Sequence, residues 1–306
     1  MSKGCQGCLR VVLPFILLYN LPVKENSHMA VADSAAEQTK VSSRPAAWLV
    51  LTALAVVFTA WFLYAPAGVL GKATAVGYAI CHRIDSRSFH IGNIQMPLCA
   101  RCTGIYLGVV LGVGLMAAAG RWRAGVLPPM RVIVAIVLFI TAMGVDGVNS
   151  YFTLIPGLPH VYEPQNWLRL LTGILTGVAV SGLIYPVFNQ TLWRRWQETP
   201  IVRGLWEFVG IVLAAMVVVA LVLSNNPYIL YPLALISSGG VLLLMTMTNS
   251  MIFMLATRTE NQAENWREAL VPVAAGLTVA LSLILFIDIL RFTVTGTWNG
   301  FIIPGA

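Results

Sequence analysis

Apolar runs separated by short polar stretches dominate the chain. Seven of these runs read as membrane crossings: 47–65, 102–119, 131–145, 168–187, 205–223, 228–256 and 269–290. Inside a bilayer no water is available to bond exposed backbone groups, so each crossing must satisfy its own N–H and C=O groups as a helix. The pattern therefore predicts an all-α integral membrane helical bundle with about seven transmembrane helices. Trp48, Trp61 and Tyr64 fall near the ends of the first run, where amphipathic rings anchor to the lipid–water boundary. An earlier apolar stretch, 11–21, contains Pro14 and Asn20 and is too short to cross. Residues 24–44 are polar and rich in Ser, Ala and Glu. The expected organisation is a polar, disordered N-terminal tail over 1–46 and a first transmembrane helix over 47–70. A core with a polar loop and three transmembrane helices follows over 71–190, then a three-helix membrane region over 191–306.

Composition agrees with the pattern. The 306 residues are 58% hydrophobic and only 10% charged, and the mean hydropathy is +0.80. Soluble domains carry about a quarter charged residues. The net charge of +7 forms no basic stripe on a polar surface, so nucleic acid is excluded as a partner and the lipid bilayer is the expected one. Basic residues cluster in alternate loops: Arg121, Arg123 and Arg131; Arg194, Arg195 and Arg203; Arg258 and Arg267. The positive-inside rule then predicts a multi-pass protein of the cell membrane with a cytoplasmic N-terminus and the loop 71–101 outside.

That loop concentrates the chemistry. Residues 81–108 read CHRIDSRSFHIGNIQMPLCARCTGIYLG and hold three of the five cysteines, two of the four histidines and three arginines. Cys99-x-x-Cys102 brings two thiols within reach of one ion, and Cys81 with His82 or His90 completes a tetrahedral Cys3His set suited to zinc or another transition metal. The same thiols fit a second chemistry. Cys99 and Cys102 could cycle between dithiol and disulfide with Cys81 resolving, their thiols made more acidic by Arg83, Arg101 and a helix N-terminus. Buried inert thiols are the third reading. A c-type haem is disfavoured because Thr103, not histidine, follows the second cysteine. Cys5-x-x-Cys8 stands alone and reads as incidental.

Polar residues at two other run ends are expected to join this loop. Asp146, Asn149 and Ser150 follow the third run, and Asn166 and Arg169 open the fourth. Asp146 and Arg169 are costly near hydrocarbon, so they serve either as a structural pair or as the candidate catalytic residues. In the second case Arg169 binds an anion or carboxylate and Asp146 acts as acid, base or ligand. Arg83, Arg87, Arg101, Asn149 and Asn166 are expected to line the site. Small residues at four-residue spacing, Gly104, Gly108 and Gly112 against Gly173, Gly177 and Ser181, predict close packing of the second and fourth helices. Asp288 and Arg291, one turn apart, read as a snorkelling helix end.

At these residues the chain resembles a known family. The run CHR…RSFHIG…PLCARCTGIYLG is similar to the hallmark of the prokaryotic membrane-protein family called domain of unknown function 2085. That pattern also has an Asp-Gly, matched by Asp146-Gly147, and an Asn-x-x-Arg-x-x-Thr-Gly, matched by Asn166, Arg169, Thr172 and Gly173. The resemblance covers about 75–184 and implies a shared site built from the loop and the two polar helix ends, without implying an activity. Three functions remain: a metal-bound Cys/His site, structural or hydrolytic, with a small-molecule or anionic ligand; a membrane thiol–disulfide oxidoreductase; and a transporter or channel with the loop as a lid. No G-x-S-x-G or Walker glycine loop is present. The last three runs carry few polar residues and no inverted repeat, against transport.

Overall fold

The computed structural model describes residues 43–301 apart from 154 and 156–158. The expected tail, with Cys5 and Cys8, lies almost wholly outside the described residues. The chain divides into Met1–Ala47 and Trp48–Ala306, and the site belongs to the second unit. Among the described residues, seven helices are long and apolar enough to cross a membrane, as the pattern predicts.

α1 spans Ser43–Tyr64. The expected first helix over 47–70 is corrected here, because the chain breaks after Tyr64 and a separate helix, α2, runs over Val69–Ile80. Pro66 forces the break: it lacks an N–H and drives the preceding residue out of the helical region, while Gly68 sits at φ 81. At 12 residues α2 is too short to cross. It lies against a hairpin of β1 (Ser88–Ile91) and β2 (Ile94–Cys99), paired antiparallel with Ser88 opposite Cys99. Gly77 makes this possible, since a methyl there would overlap the Pro97 carbonyl.

α3 (Ala100–Met116) starts directly on β2, with Cys99 as its N-cap. A wider π turn over Ala117–Arg121 ends it, with Gly120 at φ 79. α4 covers Met130–Phe152. The expected stop at Val145 is corrected too: the helix continues through Asp146, Asn149 and Ser150, which are buried and therefore need no exit to water. α5 (Asn166–Leu192) is the most enclosed crossing, with 67% of its apolar window buried against 6% for α1. α1 instead presents Leu49, Val56 and Leu63 outward, the surface expected of a helix facing lipid. β3 (Ala124–Val126) and β4 (Gln197–Pro200) form a short parallel pair. α6 (Leu205–Leu223), α7 (Pro227–Thr257) and α8 (Trp266–Thr295) complete the bundle.

The α3–α5 contact organises the core. A methyl at Gly104 or Gly108 would overlap the carbonyls of Leu170 or Ile174, and one at Gly173 or Gly177 would overlap those of Arg101 or Ile105. Gly112 meets the Ser181 side chain. Both backbones thus touch through their small residues. This close approach sets the first turn of α5 beside the first turn of α3. A second apolar cluster gathers Trp61, Ala75, Cys81, Leu98, Cys99, Val241, Leu281 and Ile284. The cysteines are therefore walled by α1, α2, α7 and α8 as well as by their own loop.

Candidate metal centre

Three thiols meet where α2, β2 and α3 join. Cys81 caps the C-terminus of α2, Cys99 ends β2, and Cys102 lies in the first turn of α3. Their sulfurs all lie within 4.8 Å of one another. Tetrahedral zinc–sulfur bonds of about 2.3 Å place sulfurs about 3.8 Å apart, so small side-chain rotations suffice to close on one ion. Cys81 and Cys99 are buried, and Cys102 is half-buried.

Cys81 is the acceptor of the cluster. Its Sγ receives the backbone N–H of Cys99 at 3.4 Å and that of Arg83 at 3.5 Å. Arg83 adopts φ 49, a left-handed backbone conformation in the turn that follows Cys81. Hydrogen bonds from the Cys102 and Cys99 thiols, with the Cys99 N–H, hold the Cys81 pKa well below that of an ordinary thiol despite its burial. Cys99 accepts from Cys102, which lowers its pKa, but donation to Cys81 and burial outweigh this and push it up to about 12. Anionic character collects on Cys81, as ligation or nucleophilic chemistry requires.

The histidines are placed elsewhere. No histidine of the described residues joins the thiol group. His90, on β1 opposite Gln95, turns Nε2 to Asp85 Oδ1 at 2.9 Å. His82 Nδ1 accepts the Ile84 N–H at 3.2 Å. Burial, with help from the surrounding arginines and against the pull of Cys81, lowers its pKa.

The polar helix ends converge on the same face. Arg101, next to Cys102, pairs with Asp146 and also donates to Ser150 Oγ at 3.0 Å. Asp146's other oxygen accepts the Tyr162 hydroxyl at 2.8 Å. Burial and that bond push the Tyr162 phenol up to about 12. Asn149 fixes the same segment, accepting the Val161 N–H and donating to the Tyr162 carbonyl, both at 2.8 Å. Asn166 reaches the Ser86 carbonyl at 3.1 Å and accepts from Arg169 at 2.8 Å. Arg87 donates to Thr153 at 3.1 Å. Asp146 therefore pairs with Arg101 rather than Arg169, and both its oxygens are engaged.

Several residues at the site escaped the sequence reading. Arg291, read as a snorkelling end, instead donates to the carbonyls of Tyr78 at 2.5 Å and Cys81 at 2.7 Å, with His82 at 3.4 Å. Its guanidinium also stacks on the Tyr78 ring at 3.9 Å. Arg83 donates to the Trp298 carbonyl at 2.8 Å, and Gln95 donates to the Arg83 carbonyl at 2.8 Å. The segment after α8 thus closes over the Cys81 turn, where the Phe301 N–H meets the His82 carbonyl at 2.9 Å. No side-chain motif signals such bonds, because their acceptors are backbone carbonyls.

Known proteins point to the same region. Residues 81–183 match the family described as "Predicted membrane protein (DUF2085)". An uncharacterized protein of Methanocaldococcus jannaschii is 30% identical over 123 residues, which cover 40% of this chain and 72% of that protein. An uncharacterized protein of Methanothermobacter thermautotrophicus is 32% identical over 104 residues, covering 34% of this chain and 83% of that protein. No solved structure matches.

Proposed function

This chain belongs to the membrane-protein family designated domain of unknown function 2085, and on that premise we propose that it carries a metal centre on Cys81, Cys99 and Cys102 at the outer membrane surface. The observation that carries this reading is the convergence of three thiols within 4.8 Å. They come from a helix end, a strand end and a first helical turn, and two backbone N–H groups already support the Cys81 sulfur. Thiolates with N–H donors behind them are a ligand set for zinc or another soft transition metal. With His82 and His90 engaged elsewhere, the described residues supply three ligands and leave a fourth position for an outside atom. That is the arrangement of a catalytic site more than of a closed structural one.

Within this reading Asp146 is a positioning residue. It holds Arg101, and so the first turn of α3, rather than acting as a free base. The arginine-bearing loops at the other ends of the helices support a cytoplasmic N-terminus and an outward-facing centre. A second reading, thiol–disulfide exchange, is favoured by the acidic Cys81 sulfur facing two partner thiols. One measurement separates the two. Protein purified in detergent without chelator is assayed for zinc, iron and free thiols, alongside C99S. About one metal per chain, lost in C99S, is the expected result. Metal-free protein whose thiols appear only after reduction would replace the metal reading with the redox one.

A further inference from the structure

Arg87, Arg101 and Arg169 are tied to the same helix ends beside the thiol loop: Arg87 to Thr153, Arg101 to Ser150 and Asp146, and Arg169 to Asn166, which reaches the Ser86 carbonyl; Asp146 is the one carboxylate bonded to any of them among the described residues. That carboxylate is taken by Arg101. Arg87 and Arg169 are 9% and 6% exposed and form no ion pair among the described residues. Arg87 donates to the Thr153 hydroxyl and Arg169 to the Asn166 amide oxygen, neither of which carries charge. The Arg169 Nε is buried without a hydrogen-bond partner among the described residues, as are the Nε atoms of Arg83, Arg101, Arg121, Arg123 and Arg291. Burying an uncompensated guanidinium is strongly unfavourable, so a folded protein that does so needs an anion from elsewhere.

A second observation points the same way. α3 and α5 both begin here, side by side, since the Arg101 carbonyl packs on Gly173. Neither helix has a side-chain cap at its N-terminus, and neither has an acidic residue in its first turn. Two parallel helix dipoles therefore add positive potential to the same region. Three thiolates on a divalent ion would bring only one net negative charge, less than the arginines supply.

We propose that Arg87 and Arg169, at the paired N-termini of α3 and α5, form a seat for a phosphate group, and that one of its oxygens takes the fourth position of the thiol-bound metal. The second half rests on the metal reading; the seat itself does not. The guanidinium fork matches phosphate oxygens in geometry as well as charge. The phosphate belongs either to a free anion or to a phospholipid headgroup reaching in from the outer leaflet.

Protein in neutral detergent, titrated with sodium phosphate at constant ionic strength, tests the seat. The readouts are the thermal unfolding midpoint and the rate of Cys102 alkylation. Phosphate is expected to raise the midpoint and slow alkylation where chloride does neither. R87Q and R169Q should each weaken that response by more than about tenfold, and R258Q, on the C-cap of α7, should leave it intact. If either arginine variant fails to fold, phosphate protection of the native protein still decides. Discs of phosphatidylcholine should preserve the response. Discs containing phosphatidic acid should abolish it only if a headgroup fills the seat, which identifies the source. A phosphate response in metal-free protein keeps the seat and removes the coordination. Native protein indifferent to phosphate in both detergent and phosphatidylcholine discs overturns the proposal, whatever its metal content.

Discussion

Two Arg–Asp regions flank the cysteine loop, and they are built in opposite ways. On the α3–α4 side Arg101 and Asp146 bind each other, and Tyr162 and Ser150 fill remaining positions. On the α8 side Asp288 and Arg291 lie one turn apart yet form no hydrogen bond among the described residues. Arg291 gives its donors to the Tyr78, Cys81 and His82 carbonyls, and both Asp288 oxygens are left buried and unpartnered. An arginine bonds to the acceptors that its backbone position offers, not to the nearest carboxylate in sequence. The first region is a closed charge pair that fixes helix ends to one another. The second is a clamp on loop backbone, and its neighbouring carboxylate stands aside.

Substitutions at three residues probe this contrast, in order of expected effect. Asp146→Ala should be the most damaging, because it strands Arg101 next to Arg87 and Arg169; a loss of about 3–5 kcal/mol is expected by unfolding in denaturant. Asp146→Asn should recover part of that loss through its amide oxygen, and full recovery would mean that Asp146 is not a charge partner. Arg291→Gln removes charged donors from the Tyr78, Cys81 and His82 carbonyls, at about 1.5–3 kcal/mol for a lost charged hydrogen bond. It should also speed alkylation of Cys81, and unchanged thiol reactivity would show that the clamp does not hold the loop. Asp288→Asn should cost least, within about 1 kcal/mol, since no hydrogen bond is broken. A loss as large as that of Asp146→Ala would reveal a partner for Asp288 and erase the contrast between the two regions.

Legibility in the sequence followed the range of the forces involved. α6 was readable to the residue, 205–223, because hydropathy alone defines a helix in lipid. The α3–α5 seam was readable because its small residues repeat at four-residue spacing along each helix. The three thiols were readable as a group because cysteines are rare and their chemistry is specific. Other features were not local. α4 runs past Asp146 because that residue finds Arg101 and Tyr162 through the fold, so polarity that looked like a helix end is a buried contact. α2 was read almost wholly as part of the loop 71–101, because its 12 residues are too few to cross a membrane and run straight into the Cys/His motif. The histidines looked like ligands by composition, yet Asp85 and the Ile84 N–H engage them within a few residues. Arg291 was misread since its acceptors are carbonyls with no residue identity, lying 210 positions away at Cys81.

That distance also has a consequence in time. A ribosome adds about 5–20 residues per second, so the loop containing Cys81 is made some 10–40 seconds before the arginine that clamps it, 210 positions later. During that interval the nascent protein displays its thiols on a turn whose carbonyls are still bare. The three thiols are therefore made early and the arginine that clamps their loop late, so α8 acts as a latch on the Cys81 turn.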